Sequence, residues 1–147
     1  MTRIAARETV VQIVYALDFS PEDSEIVRER LSPEFYERMA GEGDLYDSPP
    51  GEEEGSYISE LVAGVSEHLA ELDGYIERYA VGWQFARIPR VAVAIMRVCM
   101  YETLYRPDVP NAAAINAAVD LCKKYEEADV AAFVNGILGS FSRAELV

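Results

Sequence analysis

The chain has 147 residues, half of them hydrophobic, which is the size and composition of one globular domain rather than of a disordered segment. No apolar run is long enough for a membrane span or a secretory signal, so we expect a cytoplasmic protein without membrane contact. Two cysteines and one histidine are too few for a disulfide framework or a zinc site.

The net charge of −13, taken as a whole, counts against a nucleic-acid-binding protein. The acids are concentrated between positions 20 and 60, where 13 acidic and three basic residues account for −10. The rest of the chain carries −3. Because physiological salt screens charge over about 8 to 10 Å, a ligand bound outside this segment meets a nearly neutral surface. The charge therefore does not exclude RNA binding there.

The amino-terminal part predicts helices followed by an acidic loop. Residues 3–19 have one apolar face, and Thr2 stands before them as an N-cap. Serine–proline–acid signals at Ser20 and Ser32 predict two short helices or one broken helix. Glycine, proline and acids then predict a mobile acidic loop over about residues 41–56, which is normally solvated; docking of a basic partner is the alternative.

The clearest amphipathic pattern runs from Ser56 to about Tyr79, with apolar residues at spacings of three and four. Asp73 and Gly74 are expected to divide it, with Asp73 capping the second piece. His68 lies within this pattern beside polar neighbours, and we expect it to be a solvated surface residue.

Pro89 marks the start of a helix that is apolar on nearly every face, which is typical of the centre of a helical bundle. Arg97 and Glu102 interrupt this helix. Because a buried charge is tolerated only when it is paired, we expect each of them to reach a polar partner or the edge of the bundle.

Two further helices follow. Asn111 is expected to cap one that runs from Ala112 to about Tyr125. The last helix contains Gly136 and Gly139, which cost about 1 kcal/mol each in a helix interior and therefore predict close helix–helix approach. No alternating strand pattern of useful length occurs. The sequence predicts an all-α fold of six to seven helices.

No catalytic constellation can be assembled from these residues. The chain has a single histidine, no G-x-S-x-G motif and no glycine-rich phosphate loop. The carboxylates of Glu52, Glu53 and Glu54 could bind a cation weakly, but consecutive acids in a loop are usually solvated. We therefore expect a protein that is not an enzyme and has no catalytic residues, no cofactor and no metal.

Ordered groups of residues along the chain resemble the NusB family of transcription antitermination proteins. They cover about residues 3–19 and 57–142. The groups are Ala6-Arg7-Glu8 with Val14-Tyr15-Ala16-Leu17; Leu61-Val62-Ala63-Gly64-Val65 with Leu72-Asp73; Trp83 with Arg87-Ile88 and Ile95-Met96-Arg97; Asp108-Val109-Pro110 with Ala114-Ile115-Asn116; and Phe133-Val134-Asn135-Gly136-Ile137-Leu138.

The resemblance implies a single NusB-like domain over residues 1–147, built as two packed helical bundles. It also implies binding of boxA-type RNA beside the small-subunit ribosomal protein NusE, in the transcription elongation complex that makes ribosomal RNA. In the family, RNA contacts come from an arginine-rich first helix and from residues near the closing motif. Carried over, these are Arg3 and Arg7, with Asp129 and Phe133; Phe133 would stack on an unpaired base.

The sequence departs from the family pattern at its amino end, where only Arg3 and Arg7 remain of a basic cluster and Glu8 offsets one of them. Ala117 also stands where the family usually has glutamate. The alternative function is therefore a NusB-fold protein–protein interaction module with weak or lost RNA binding.

Each candidate residue also has an ordinary structural interpretation. Arg3 and Arg7 fit a solvated helix face, Asp129 fits the N-cap of the last helix, and Phe133 fits the core. Self-association into a homodimer through an exposed apolar helix face is a further open alternative. A third functional class, an RNA-modifying enzyme with a NusB-like domain, needs a cofactor domain that this sequence does not contain.

Overall fold

A computed structural model describes residues 1–146, and the statements below refer to that part of the chain. It has eight α-helices, two short 3₁₀ turns and no β-strand. The helices are α1 (Arg3–Phe19), α2 (Glu25–Leu31), α3 (Pro33–Arg38), α4 (Glu52–Glu67), α5 (Leu69–Tyr79), α6 (Arg90–Tyr105), α7 (Asn111–Tyr125) and α8 (Ala128–Glu145). The predicted all-α class is confirmed, whereas six to seven helices is an underestimate.

The region after α1 forms two separate short helices. The Ser32 hydroxyl accepts a hydrogen bond from the backbone N–H of Phe35 at 3.3 Å, so this predicted cap of α3 is confirmed. The predicted helix start at Ser20 is wrong, because α2 begins only at Glu25. There the Asp23 carboxylate accepts from the Glu25 N–H at 3.1 Å, so an aspartate provides the local bond that Ser20 was expected to make.

Two other predicted caps have different outcomes. The Thr2 hydroxyl accepts from the backbone N–H of Ala5 at 3.0 Å, which confirms the predicted cap of α1. Asn111 is itself the first residue of α7, and Pro110 occupies the cap position. The predicted boundary of α7 is therefore one residue late.

The long amphipathic segment breaks at His68 and not at the predicted Asp73. His68 is non-helical (φ −119°, ψ 21°), and its Nδ1–H donates to the carbonyl oxygen of Gly64 at 2.8 Å. The imidazole centroid lies 4.5 Å from the ring of Tyr105 and 5.7 Å from that of Tyr101. His68 is thus half-buried in an aromatic cluster, and its predicted exposure on the surface is wrong.

The acidic segment is shorter as a loop than the predicted 41–56. Glu52–Glu54 form the first turn of α4, where carboxylates are stabilised by the positive end of the helix dipole. A 3₁₀ turn at Asp44–Tyr46 lies within the remaining loop, and Gly41 and Gly43 take φ values of 91° and 132° that favour glycine. The mobility of this loop stays a prediction.

The chain groups into two compact units, Met1–Ala63 and Gly64–Val147. In the first, α1 contacts α2 and the Asp44–Tyr46 turn, and α2 contacts α3. In the second, α6 contacts α5, α7 and α8, and ten of its 16 residues are buried. The predicted central position of α6 is therefore confirmed within its unit. No helix in residues 1–146 is long and apolar enough to cross a membrane.

The buried charge of Arg97 in α6 is paired as predicted. Its side chain is 6% exposed and makes a two-pronged ion pair with Asp73 of α5, with Nε–Oδ1 and Nη2–Oδ2 distances of 2.8 and 2.9 Å. Because both carboxylate oxygens are engaged by fixed donors, this pair joins α5 to α6 in a single geometry.

A side chain from another helix lies close to the backbone at Gly64, and not at Gly136 or Gly139 as predicted. A methyl group added to Gly64 would overlap the ring of Tyr101. The same addition at Gly136 meets no atom within 4 Å, and at Gly139 it meets only the Arg143 guanidinium of its own helix at 3.3 Å. The predicted helix contacts at Gly136 and Gly139 are wrong.

Candidate nucleic-acid interface

Arg3 and Arg7 lie one turn apart on α1 in the first unit, and both stand over the ring of Tyr57 in α4. Their guanidinium carbons are 3.9 and 5.9 Å from the ring centroid. Tyr57 is only 2% exposed, so its ring is a fixed platform for the two cations. The structure therefore brings the two arginines together over one ring, and neither is a freely solvated side chain.

The outer end of Arg3 is held weakly. Its Nη2 lies 3.8 Å from Oε1 of Glu53, whose side chain is 84% exposed. An ion pair this exposed contributes less than about 1 kcal/mol. The Arg3 Nε is buried without a hydrogen-bond partner in the described residues. An incoming phosphate can therefore replace Glu53 at little cost.

Asp129 and Phe133 lie one turn apart on α8 in the second unit, so they share a face of that helix. Asp129 is exposed and lies within the first turn, where its Oδ1 accepts from the Val130 N–H at 2.9 Å. The cap position belongs to Glu127, so the alternative of Asp129 as the N-cap is wrong. Its outward carboxylate remains available to a ligand.

Phe133 is half-buried and packs against Trp83, a residue that the sequence analysis did not assign to the site. The ring centroids are 4.4 Å apart and the planes are inclined by 42°. Trp83 is 49% exposed and lies in the connection between α5 and α6. The sequence did hold a signal for Trp83. The segment Val81-Gly82-Trp83 is apolar but belongs to no amphipathic helix pattern, so its side chains are not predicted to be buried.

Charge is distributed unevenly between the two units. The first contains 15 acidic and five basic residues, and the second contains 11 acidic and eight basic residues. Arg87 is exposed in the α5–α6 connection, and Arg90 at the start of α6 stands 5.3 Å from the ring of Phe85. The local balance around Trp83 is therefore more favourable to a polyanion than the total charge suggests.

A groove of about 600 Å³ lies along α7 and α8 and is lined by polar and small side chains, among them Asn116, Asp120, Lys123, Ala131 and Asn135. These groups can donate and accept hydrogen bonds. In residues 1–146 no group of three or more His, Cys, Asp or Glu side chains is placed to hold a metal ion. The groove is suited to binding polar ligands.

Two groups have strongly raised pKa values outside these surfaces. Burial, aided by the charge of Glu126, raises the pKa of the Cys122 thiol to about 11, so the thiol stays protonated at neutral pH. A hydrogen bond donated to Glu71 at 2.7 Å, with desolvation, raises the pKa of Tyr105 to about 12. Neither group is an activated nucleophile or base at neutral pH.

Arginines held over an aromatic ring and an exposed tryptophan are side chains of the types that contact phosphates and bases in nucleic-acid-binding proteins. The sequence profile of the NusB family matches residues 4–143. The transcription antitermination protein NusB of Ruminiclostridium cellulolyticum is 36% identical over 146 residues, covering 99% of this chain and 92% of that protein. The NusB of Carboxydothermus hydrogenoformans is 40% identical, with coverages of 95% and 91%. The chain belongs to the NusB family.

Solved structures agree on the fold. T. maritima NusB superimposes with a TM-score of 0.76 at 24% identity, covering 98% of this chain and 92% of that one. The antitermination factors NusB and NusE in complex with double-stranded RNA match with a TM-score of 0.74 at 24% identity, with coverages of 98% and 99%. The all-α arrangement described above is therefore the NusB fold.

Proposed function

We propose that this protein is a cytoplasmic transcription antitermination factor that binds boxA-type RNA together with NusE in the elongation complex and supports ribosomal RNA transcription. The similarity over nearly the whole chain to transcription antitermination proteins carries the proposal. A solved complex of the same fold joins a NusB protein to NusE and double-stranded RNA, which supports the same partners here.

In this proposal Arg3 and Arg7 contact RNA phosphates. Their shared position over Tyr57 restricts them before RNA arrives, so less side-chain entropy is lost on binding. Asp129 accepts hydrogen bonds from the edge of an unpaired base, and Phe133 contributes aromatic surface one helical turn away.

Fluorescence anisotropy of labelled boxA-type RNA, with and without NusE, tests the proposal. We expect saturable binding that NusE tightens. Replacing Arg3 and Arg7 together by alanine removes two phosphate contacts and should make the negative slope of log K against log salt shallower by about 1.4 for a single strand. Arg28→Ala is the matched control, since Arg28 is an exposed arginine of the same unit that pairs with Glu25 at 3.1 Å.

The control should leave both affinity and slope unchanged. Absence of RNA binding by the unaltered protein at low salt, with and without NusE, contradicts the proposal. An unchanged slope in the double variant contradicts the assignment of Arg3 and Arg7 and leaves the rest of the proposal standing.

The carboxylate of Glu53 provides a second test of the same site. It competes with phosphate for the Arg3 guanidinium, so Glu53→Gln should strengthen RNA binding. Glu25→Gln removes another exposed charge in the same unit (68% exposed, against 84% for Glu53) and serves as the control. Equal effects of the two substitutions mean that only net charge matters and that Arg3 is not an RNA contact.

The charge of the first unit favours one alternative function, a NusB-fold module that has kept only protein contacts. Its 15 acids against five bases disfavour RNA there. Recovery of NusE by this protein from nuclease-treated lysate, combined with no RNA binding by anisotropy, would support the alternative.

A further inference from the structure

Trp83 is the single tryptophan of the chain and one of its largest exposed apolar side chains. It follows Gly82, whose φ of 85° turns the chain after α5, and it precedes the 3₁₀ turn Phe85–Arg87. Val81, two residues earlier, is 87% exposed. The exposed indole and the exposed valine two residues before it are apolar groups that gain free energy when a ligand covers them.

The geometry of the Trp83–Phe133 pair determines where a planar ligand can lie. A ring inserted between two rings needs van der Waals contact on both sides, which requires a separation of about 7 Å. The observed centroid distance is 4.4 Å, so nothing fits between them. A base can stack only on an outer face, and Trp83 is the more exposed ring of the two.

The groups around the indole suit an RNA nucleotide better than an apolar protein surface. Trp83 is 49% exposed, and its indole N–H is a hydrogen-bond donor of the kind that a phosphate or base oxygen accepts. Arg87 is exposed in the same connection and supplies positive charge. Asp129, one turn before Phe133 on α8, supplies an acceptor for a base edge.

We propose that Trp83 is the residue on which an unpaired RNA base stacks, and that Phe133 acts as a positioning residue that supports the indole from its inner side. This inference rests on the RNA-binding function proposed above and deepens it. It moves the stacking contact from Phe133, where the family resemblance places it, to a neighbour in the α5–α6 connection.

Because Trp83 is the only tryptophan, its emission reports directly on the proposed site. Unlabelled single-stranded boxA-type RNA is titrated into the full chain while tryptophan emission is recorded, and anisotropy of labelled RNA gives the affinity independently. We expect emission to be quenched with the same midpoint as the anisotropy curve, since stacking brings a base into contact with the indole.

Substitutions separate stacking from packing. Trp83→Leu keeps apolar contact with Phe133 but removes the aromatic face, and it should weaken RNA binding by roughly 5- to 150-fold. Trp83→Phe keeps a ring and should restore most of the affinity. Phe133→Leu should weaken binding in the unaltered protein but have no further effect in the Trp83→Leu background. Phe19→Leu, at a 63% exposed aromatic of the first unit, should change nothing.

Circular dichroism melting of each variant identifies any that fail to fold, and Trp83→Phe provides the folded comparison. Two results together overturn this inference and leave the proposed function intact. The unaltered protein binds RNA with no change in tryptophan emission, and Trp83→Leu binds RNA with the same affinity as the unaltered protein. Loss of NusE recovery without loss of RNA affinity in Trp83→Leu also overturns it, by assigning the indole to a protein contact. If the unaltered protein binds no RNA, the proposed function fails and this inference fails with it.

Discussion

The two-pronged ion pair between Arg97 and Asp73 predicts a large and asymmetric effect on stability. Asp73→Asn removes the carboxylate charge that faces a guanidinium only 6% exposed, while the amide oxygen keeps one of the two hydrogen bonds. Removing the partner of a buried charge costs about 3–5 kcal/mol. Because Asp73 is 25% exposed and one bond survives, we expect about 2–3 kcal/mol, which lowers Tm by roughly 4–12 °C for a chain of this length.

The reverse substitution should be milder. Arg97→Met removes the buried charge itself, and the Asp73 carboxylate that remains is exposed enough to be solvated. Because the carboxylate left behind is partly solvated and the guanidinium left by Asp73→Asn is buried, we expect Arg97→Met to destabilise the protein less than Asp73→Asn does. The double variant that combines Asp73→Asn with Arg97→Met should therefore be more stable than Asp73→Asn alone.

Urea denaturation measures these differences, with circular dichroism for helix content and the emission of Trp83 for the unit that contains the pair. Asp108→Asn is the control, because its pair with Arg106 lies at 3.1 Å with the carboxylate 60% exposed and should contribute less than about 1 kcal/mol. If Asp73→Asn proves no more destabilising than Arg97→Met, the argument that the lost carboxylate charge beside the buried guanidinium dominates is refuted.

Three other outcomes follow from the structure. Gly64→Ala should destabilise the protein by about 1–2 kcal/mol in urea denaturation, because its methyl group meets the ring of Tyr101. Gly136→Ala should stabilise the protein by about 0.5–1 kcal/mol, because its methyl group meets no atom within 4 Å. Equal effects of the two substitutions would contradict this reasoning. The pKa of Tyr105, about 12, should fall toward 10 in Glu71→Gln by absorbance titration. Since folding raises that pKa, the stability from this contact is present below pH 10 and is lost as the pH rises toward 12. Cys122, with a pKa of about 11, should react with a thiol reagent at pH 8 far more slowly in the folded than in the unfolded chain.

Most helices were predictable because their apolar periodicity and caps are local properties of the sequence. Thr2 and Ser32 make the hydrogen bonds that their positions predict. The break at His68 was not predictable, because it depends on a histidine–carbonyl bond and on rings of α6 that lie more than 30 residues away in the chain. Gly64 was missed for the same reason, since its close neighbour Tyr101 is known only from the fold.

The candidate site was likewise predictable only in part. The family resemblance points to Arg3 and Phe133, but no pattern in the sequence pairs Arg3 with Glu53, fifty residues distant. The start of α4 was predicted as part of a solvated loop, so no partner within the chain was expected for its carboxylates. The contact of Phe133 with Trp83 likewise joins a helix to a connection far away in sequence. Composition identifies the residue types available to RNA, and tertiary contacts decide which of them are already occupied.

The uneven charge has a consequence for how RNA affinity depends on salt. Phosphate contacts weaken as salt rises, because the gain from counterion release falls. The excess of ten acidic residues in the first unit repels the same polyanion, and that repulsion extends over about 30 Å at 0.01 M salt but only about 10 Å at 0.1 M. At low salt the repulsion from the acidic residues opposes the phosphate contacts. Near physiological salt the repulsion is screened and only the phosphate contacts affect RNA affinity. The plot of log K against log salt should therefore flatten at low salt, and a straight line through that range would mean that the acidic segment lies beyond the reach of the bound RNA.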